Sequence, residues 1–471
     1  MKKMCAFLVL ALALLWAGVC ATAEDDGSWK YVLNGDEATI TGYADKKYEG
    51  VLTIPAVLGG CVVTDIGNYA FISYEGLTGV ILPDSLQRIG TMGFYGCSAL
   101  SSIVIPEEVT EIRSGAFTEC SSLTEIVVAP GNTTYASLEG VLFTAQMETL
   151  IACPGAKEGA YEIPDSVAII EDSAFSHCVG LTHIIIPDRV EKIGKSAFAY
   201  CESLTEILLP KGVLNIGESP FIGCSSLTSI NVSPENPVFA STDGVLINYK
   251  TGWLLACPGA KKGIYEIPEG VNHISTSAFA LCRELTKIEM PASVTYIGFS
   301  AFGNCSGLVE IVLNEGVTYI EEWAFRGCDR LRVIDIPKGV VKIQRASFYD
   351  CVSLTSVILP DGVTDIGDSA FYNCVSLTSV TLPDGVTEIG GSAFYNCTGL
   401  TEMILPDSVM GIGDSAFSDC LGLTSIILSD GVTDIGDSAF YNCPDLVLTV
   451  FADSFAHQYA MDNDIPFLLA E

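Results

Sequence analysis

Three tripeptides, Gly367-Asp368-Ser369, Gly413-Asp414-Ser415 and Gly436-Asp437-Ser438, set a serine behind a glycine and an acid, the residue types of a hydrolytic nucleophile. That chemistry needs a histidine within hydrogen-bond reach to take the serine proton. The chain has four histidines, His177, His183, His273 and His457, and they stand in unrelated settings. His183 is expected on the outer face of a strand, and His177 in a turn beside a cysteine. The eighteen cysteines are a second resource, either for disulfides or, as CxxC pairs, for zinc, but no CxxC pair occurs. A third is the acids Asp361, Asp365 and Asp368, with Asp430, Asp434 and Asp437, whose oxygens could serve calcium. The nonapeptide calcium pattern is absent, and so is a phosphate-cradling glycine loop. All three sets recur at one constant spacing, so a repeat explains their positions. They carry no enzyme site, no metal site and no cofactor site.

The repeat is 23 residues long. Phe71, Phe94 and Phe117 follow it, as do Phe175, Phe198 and Phe221, and then every coil from Phe279 to Phe440. Fourteen units share the form LxxIxLPxxVxxIGxxAFxxC, and Leu377 to Cys397 is a clear copy. Leu377, Val380 and Leu382 have strand spacing, and Pro383 closes the strand because proline cannot continue a ladder. Val386 and Ile389 make a second extended piece, with Gly390 at a corner, and Ala393, Phe394 and Cys397 fill a return read as a short helical piece. One coil cannot cover its own apolar side; stacked coils bury it in a common core. The expected fold is a β-rich, right-handed leucine-rich-repeat solenoid with short helical turns. At about 4.8 Å per coil the body would be roughly 65 to 70 Å long.

Thirteen cysteines, from Cys97 to Cys443, occupy one position of the coil. Stacked at about 4.8 Å with parallel directions, they miss the convergence and the ~3.8 Å Cβ separation of a disulfide. A ladder of buried thiols, each with a weak S–H donor to neighbouring backbone, is the expectation.

Two interruptions separate Phe117 from Phe175 and Phe221 from Phe279 by 58 residues each. Their contents match at an offset of 104: Ala152-Cys153-Pro154-Gly155-Ala156-Lys157 returns as Ala256-Cys257-Pro258-Gly259-Ala260-Lys261. Each insert, at about 129–162 and 233–266, is expected to protrude as a hairpin from one edge. Residues 1–23 read as a signal peptide: Lys2 and Lys3, an apolar run from Ala6 to Val19, and Ala21-Thr22-Ala23 for cleavage. Lipid attachment at Cys20 is the alternative, though Val19 fits it poorly. Residues 24–60 form an N-terminal β cap, with Asn34-Gly35 as a hairpin turn. The solenoid is placed at 61–446 and a C-terminal cap at 447–471, where Phe455 and Tyr459 share one side of a helix before Ile465 to Leu469. No later stretch is long and apolar enough for a transmembrane span.

With 49% hydrophobic and 17% charged residues, a core can run the whole length. The net charge of −34 disfavours nucleic acid and anionic lipid, which need clustered Lys and Arg. In LxxIxL the position between the isoleucine and the last leucine points outward. It holds Ile81, Val104, Val127, Ile185, Leu208, Val312, Ile358, Ile404 and Ile427, with polar Asn231, Glu289, Asp335 and Thr381 between. β-Branched residues favour strands in any case. A contiguous exposed apolar strip nonetheless marks an interaction site, and this row is the candidate partner-binding strip.

The repeat register, the paired CPGAK inserts and the terminal Ile465-Pro466-Phe467 together resemble the BspA-like leucine-rich-repeat proteins, secreted or displayed at cell surfaces. The resemblance covers nearly all of the chain beyond residue 23, with the first insert the weaker copy because Leu138-Glu139 replace Thr242-Asp243. It implies protein partners, host matrix or cell-surface proteins among them, and adhesion; it brings no catalytic residues. A passive spacer or surface-layer component is the alternative.

Overall fold

The computed structural model describes residues 28–470, and the leader reading of residues 1–23 lies outside them. The chain winds as a solenoid whose plain coils have three sides, two of strands and one of turns, each bonded to the neighbouring coil over long runs. The coil around Phe394 shows how. Ser379–Val380 pairs in parallel with Ser356–Val357, which begins the long-strand side. Glu388–Ile389 lies between Asp365–Ile366 and Gly411–Ile412, which makes the short-strand side. Val386, Ile389, Ala393, Phe394 and Cys397 all point inward and are buried.

The third side, read above as a short helical piece, turns out to be a run of consecutive turns. Ala393, Tyr395 and Cys397 bond back three residues within the coil, whereas Ser392, Phe394 and Asn396 donate to Asp414, Ala416 and Ser418 of the next coil at 2.7–2.8 Å. The alternation requires Ser392 and Asn396 to take left-handed backbone, with φ of 54° and 55°. The same two places are left-handed in coil after coil, for example Ser369 and Asn373, or Ser415 and Asp419. Asn and Asp tolerate that region, and at other residues it costs about 1–2 kcal/mol, offset here by three inter-coil bonds. A regular helix would spend its N–H groups inside the coil and leave this side unjoined.

Gly390 also has a different reason from the one expected. Its φ is ordinary, but a Cβ would lie 2.5 Å from the Asp368 backbone nitrogen. Close approach of one coil to the next demands the glycine.

Within the core, successive phenylalanines stack at 5.1–6.0 Å with planes within 18°. The thiols do what the spacing suggested. Cys397 Sγ donates to the Phe371 carbonyl at 3.1 Å, and that carbonyl also accepts the Cys374 N–H at 3.2 Å. Equivalent bonds run from Cys97 to Phe71, from Cys201 to Phe175 and from Cys443 to Phe417. All sixteen described cysteines are free thiols.

The inserts do not protrude. Val141, Leu142 and Phe143 of the first hairpin, and Val245, Leu246 and Ile247 of the second, are buried in the rod. Each hairpin, Tyr135–Leu138 with Val141–Thr144 and Phe239–Thr242 with Val245–Asn248, is followed by a strand that starts a fresh short-strand sheet. The core is accordingly divided into three clusters that meet at the hairpins. The CPGAK motif seats the hairpin. Gly155 lies so close to the Cys120 carbonyl that a Cβ would sit 2.5 Å from it, and Ala156 donates to Leu123 at 2.9 Å. Lys157 and Lys261 then hold the hairpin-tip carbonyls of Glu139 and Asp243 at 2.9 and 2.6 Å. Tyr161 and Tyr265 replace phenylalanine against Phe175 and Phe279. Asn132 and Asn236, which sequence reasoning passed over, each make four backbone bonds that anchor the hairpin to the preceding coil.

Both ends are capped. Trp29–Asn34 pairs with Glu37–Tyr43, but Asn34 faces Glu37, so the turn is Gly35-Asp36 with Gly35 at φ 69°. That is one residue later than the Asn34-Gly35 turn expected, with glycine in the first turn position as a type II′ turn requires. The far end has the helix α1, Phe455–Asp462, started by the Ser454 side chain accepting the His457 N–H at 3.1 Å. Its buried face is Ala456, Ala460 and part of Tyr459 against Phe440. Phe455 is exposed, because the alanines allow the helix to sit closer than a phenylalanine would. Phe467–Leu469 then adds a parallel strand to Val447–Val450.

Three outcomes follow from this packing. First, all thirteen ladder thiols are raised, at Cys178 and Cys282 first by hydrogen bonding to Cys153 and Cys257 and then by burial. At the others burial is the cause and takes Cys97, Cys224, Cys351 and Cys397 to about 12, so native protein should resist maleimide except at partly exposed Cys61 and Cys443. Denaturant should release every thiol without reductant; mass-tag counting checks both. Second, a group whose pKa rises on folding stabilises the fold below its unfolded value and loses that contribution as pH climbs through the folded one. Each titrating ladder thiol then removes about 1.4 kcal/mol per pH unit. Circular dichroism should show unfolding that begins above about pH 9 and is complete well before the folded values are reached. Third, Asn236→Ala strands backbone groups at a 6% exposed site and should lower stability by about 3 kcal/mol in urea titration.

Candidate binding surface

The long-strand side is formed by parallel strands only two to six residues long, and alternation along each sends every second side chain outward. The strip residues occupy that outward column. Val127 lies opposite Val104, Leu208 follows Ile185 through the pairing of Ile184 with Ile207, and Ile427 lies opposite Ile404. Ile81, Val104, Ile185, Leu208, Val312, Ile358, Ile404 and Ile427 are 39–67% exposed, and Val127 is half-buried. The row is interrupted where Asn231, Glu289, Asp335 and Thr381 stand, and again at the insert strands, where Glu162 and Glu266 are in line. Lys287 bridges Glu289 and Glu310 at 2.9 and 3.0 Å across one such break.

Sequence reasoning missed part of the surface. Val51, Ile264 and Val333 are exposed in the outward column two residues earlier, on the strands whose strip position is Thr53, Glu266 or Asp335. Where the row turns polar on these three coils, the neighbouring column turns apolar. The signal was present in the repeat register, but two of these strands lie outside the plain 23-residue pattern.

The residues that could do chemistry find other work. Ser369, Ser415 and Ser438 are left-handed turn residues. Asp368 and Asp414 each accept the backbone N–H of the next coil, at Gly391 and Asp437, at 2.9 and 2.8 Å. His183 is on the outer strand face, as expected, beside Thr182. His273 stacks between Trp253 and Tyr296, and His457 caps α1 and meets Phe467 edge-on. His177 is less simple. Its Nε2 is 2.8 Å from Glu119 and its Nδ1 3.0 Å from Ser176 Oγ, a serine–histidine–carboxylate sequence that the spacing had not revealed. Ser176 is only 7% exposed, and the imidazole is stacked on Tyr200. Burial pulls the His177 pKa down while Glu119 opposes the shift. Glu119 and His177 flank the first insert, and the bond between them fastens the coils on its two sides. Among the described residues no three His, Cys, Asp or Glu side chains gather as a metal site.

A profile described as the BspA type leucine rich repeat region matches residues 60–149, 158–242, 263–376 and 341–460, in six copies. The chain is similar to a leucine rich cell surface protein of Faecalibacterium prausnitzii, at 31% identity and TM-score 0.50, over 76% of this chain and 93% of that one. It shares its fold with a leucine-rich repeat protein of Eubacterium ventriosum, at 22% identity and TM-score 0.54, over 88% of this chain and 93% of that one. Among curated proteins none matches.

Proposed function

The chain belongs to the BspA-type leucine-rich-repeat family, and from that premise we propose that it is a secreted or surface-displayed binding protein that adheres to host or neighbouring-cell proteins. The observation that carries this reading is the interrupted row of eight exposed apolar side chains along the parallel strands of the long-strand side. Soluble chains seldom leave such rows bare unless something covers them. A protein surface suits the row, because aliphatic anchors separated by polar breaks resemble the apolar patches and polar rim of an interface. The charge of −34 works against nucleic acid and anionic membrane as partners. Display outside the cell is supported by the signal-peptide reading and by a relative described as a cell surface protein. Among the described residues no helix is long and apolar enough to cross a membrane. The reading is non-catalytic: the solenoid spends its serines, acids and thiols on holding coils together.

One observation favours the alternative, a spacer or surface-layer subunit. Among the described residues Phe467–Leu469 is the outer strand of the long-strand sheet, with Leu468 and Leu469 exposed, and such a strand edge can template end-to-end association.

The test is capture of purified matrix and cell-surface proteins by residues 24–471, compared with Ile358→Asp, Ile404→Asp and Ile427→Asp combined. Affinity should fall about 30-fold, the effect of losing about 2 kcal/mol of anchors. The melting temperature should move by no more than a few degrees. Unchanged capture by the triple variant removes the strip from the mechanism, and concentration-dependent polymers without capture support the layer instead.

A further inference from the structure

We propose that the cleft beside the second insert binds a neutral oligosaccharide, with Trp253 as its stacking platform. Each insert interrupts the short-strand side. Pairing stops at Glu111–Ile112 and again at Asn215–Ile216, and a new sheet begins at the hairpin. A cleft opens at each interruption, about 280 Å³ at the first and 420 Å³ at the second. Only the second reaches the size of ordinary small-ligand sites, about 300–1,000 Å³.

Because the inserts are copies offset by 104 residues, the first serves as an internal control for the second. From the first cleft the outward positions run Thr149, Ile169, Lys192 and Asn215. From the second they run Trp253, His273, Tyr296 and Tyr319. These four rings stack at 4.4, 4.3 and 5.3 Å with planes within 16°. The first copy folds with threonine, isoleucine, lysine and asparagine in the same places, so the coils do not require rings there. The aromatic wall is additional to what the fold needs.

Trp253 begins the stack, lines the cleft and is 44% exposed. An aromatic face is electron-rich and attracts groups with slight positive charge. The C–H face of a pyranose has that character, and it would lie against the part of Trp253 left open beside Asn248, its partner on the hairpin strand. Sugar hydroxyls then need donors and acceptors around the ring. Asn215, Glu218, Glu321 and Ser275 supply them along the cleft. Ser275 Oγ is buried without a hydrogen-bond partner among the described residues. Glu321 is held in place by the Tyr296 hydroxyl, which donates to it. The two carboxylates and the net charge of −34 favour an uncharged sugar over an acidic one. The site lies on the short-strand side, apart from the apolar strip, and stands or falls independently of it.

The experiment is calorimetry of residues 24–471 with cellotetraose, xylotetraose, N-acetylchitotetraose and a high-mannose N-glycan. Tetragalacturonate and a Trp-Lys-Trp-Lys peptide accompany them as acidic and peptide arms. At least one neutral probe should bind saturably and quench tryptophan fluorescence, and the plant, wall and N-glycan arms identify its source. Trp253→Thr alone, and Trp253→Thr with His273→Ile and Tyr296→Lys, install the residues of the first copy. Each should weaken binding at least tenfold, about 1.4 kcal/mol, with the melting temperature kept and Trp323→Ala binding as the parent does. The proposal is overturned if no neutral probe binds, if the first-copy variants bind unchanged, or if the peptide or the acidic sugar binds in their place.

Discussion

Flush stacking of one 23-residue coil on the next is the constraint from which the rest of this molecule follows. A coil of this length has too little side-chain mass to cover itself, so every apolar row is completed by a neighbour. The contact is not only hydrophobic. The two strand sides are joined by parallel ladders, and the turn side by alternate N–H groups reaching the next coil. Left-handed residues at two places per coil are the conformational cost of that third ladder. They also explain the Gly-Asp-Ser runs: the serine is there to turn the chain, and the aspartates Asp368 and Asp414 receive an amide from the adjacent coil.

The ladder of thiols belongs to the same logic. Between plain coils the phenylalanine carbonyl on the turn side already accepts an N–H from its own coil, and the sulfur of the following coil uses its second lone pair. After the inserts Cys178 and Cys282 turn instead to the carbonyls of Cys153-Pro154 and Cys257-Pro258. A hydroxyl could make the bond but would be costly to bury beside the phenylalanine row, and an alanine would leave a gap. Cysteine is small, apolar and a weak donor. Burial keeps these thiols protonated, so they have little nucleophilic or metal-binding character even in such number.

The inserts show how a strictly periodic rod can acquire local difference. A hairpin replaces part of a coil, is fastened by the CPGAK lysine and the anchoring asparagine, and breaks the short-strand sheet without breaking the core contact. Duplication of that block left two equivalent openings whose walls have since diverged. The apolar strip on the opposite strand side has the reverse character: it follows the repeat and fades only where individual coils substitute polar residues.

The periodicity of Leu377, Ile389, Phe394 and Cys397 and their counterparts determined the solenoid, the inward rows, the outward row and the free-thiol ladder, because a stacked array maps sequence register directly onto space. Local hydrogen-bond choices were not legible in the same way. Whether the return segment closes as a helix or as turns depends on the carbonyls that the next coil presents, and whether Gly390 is needed for its φ or for closeness depends on where Asp368 lies. The inserts looked like protrusions because a hairpin pattern states only that two strands pair. That Leu142 and Leu246 are covered is decided by the core of the preceding coils, with which each of them clusters. The same holds for Trp253, His273, Tyr296 and Tyr319, separated by 20 to 23 residues, which the sheet register alone turns into one stack.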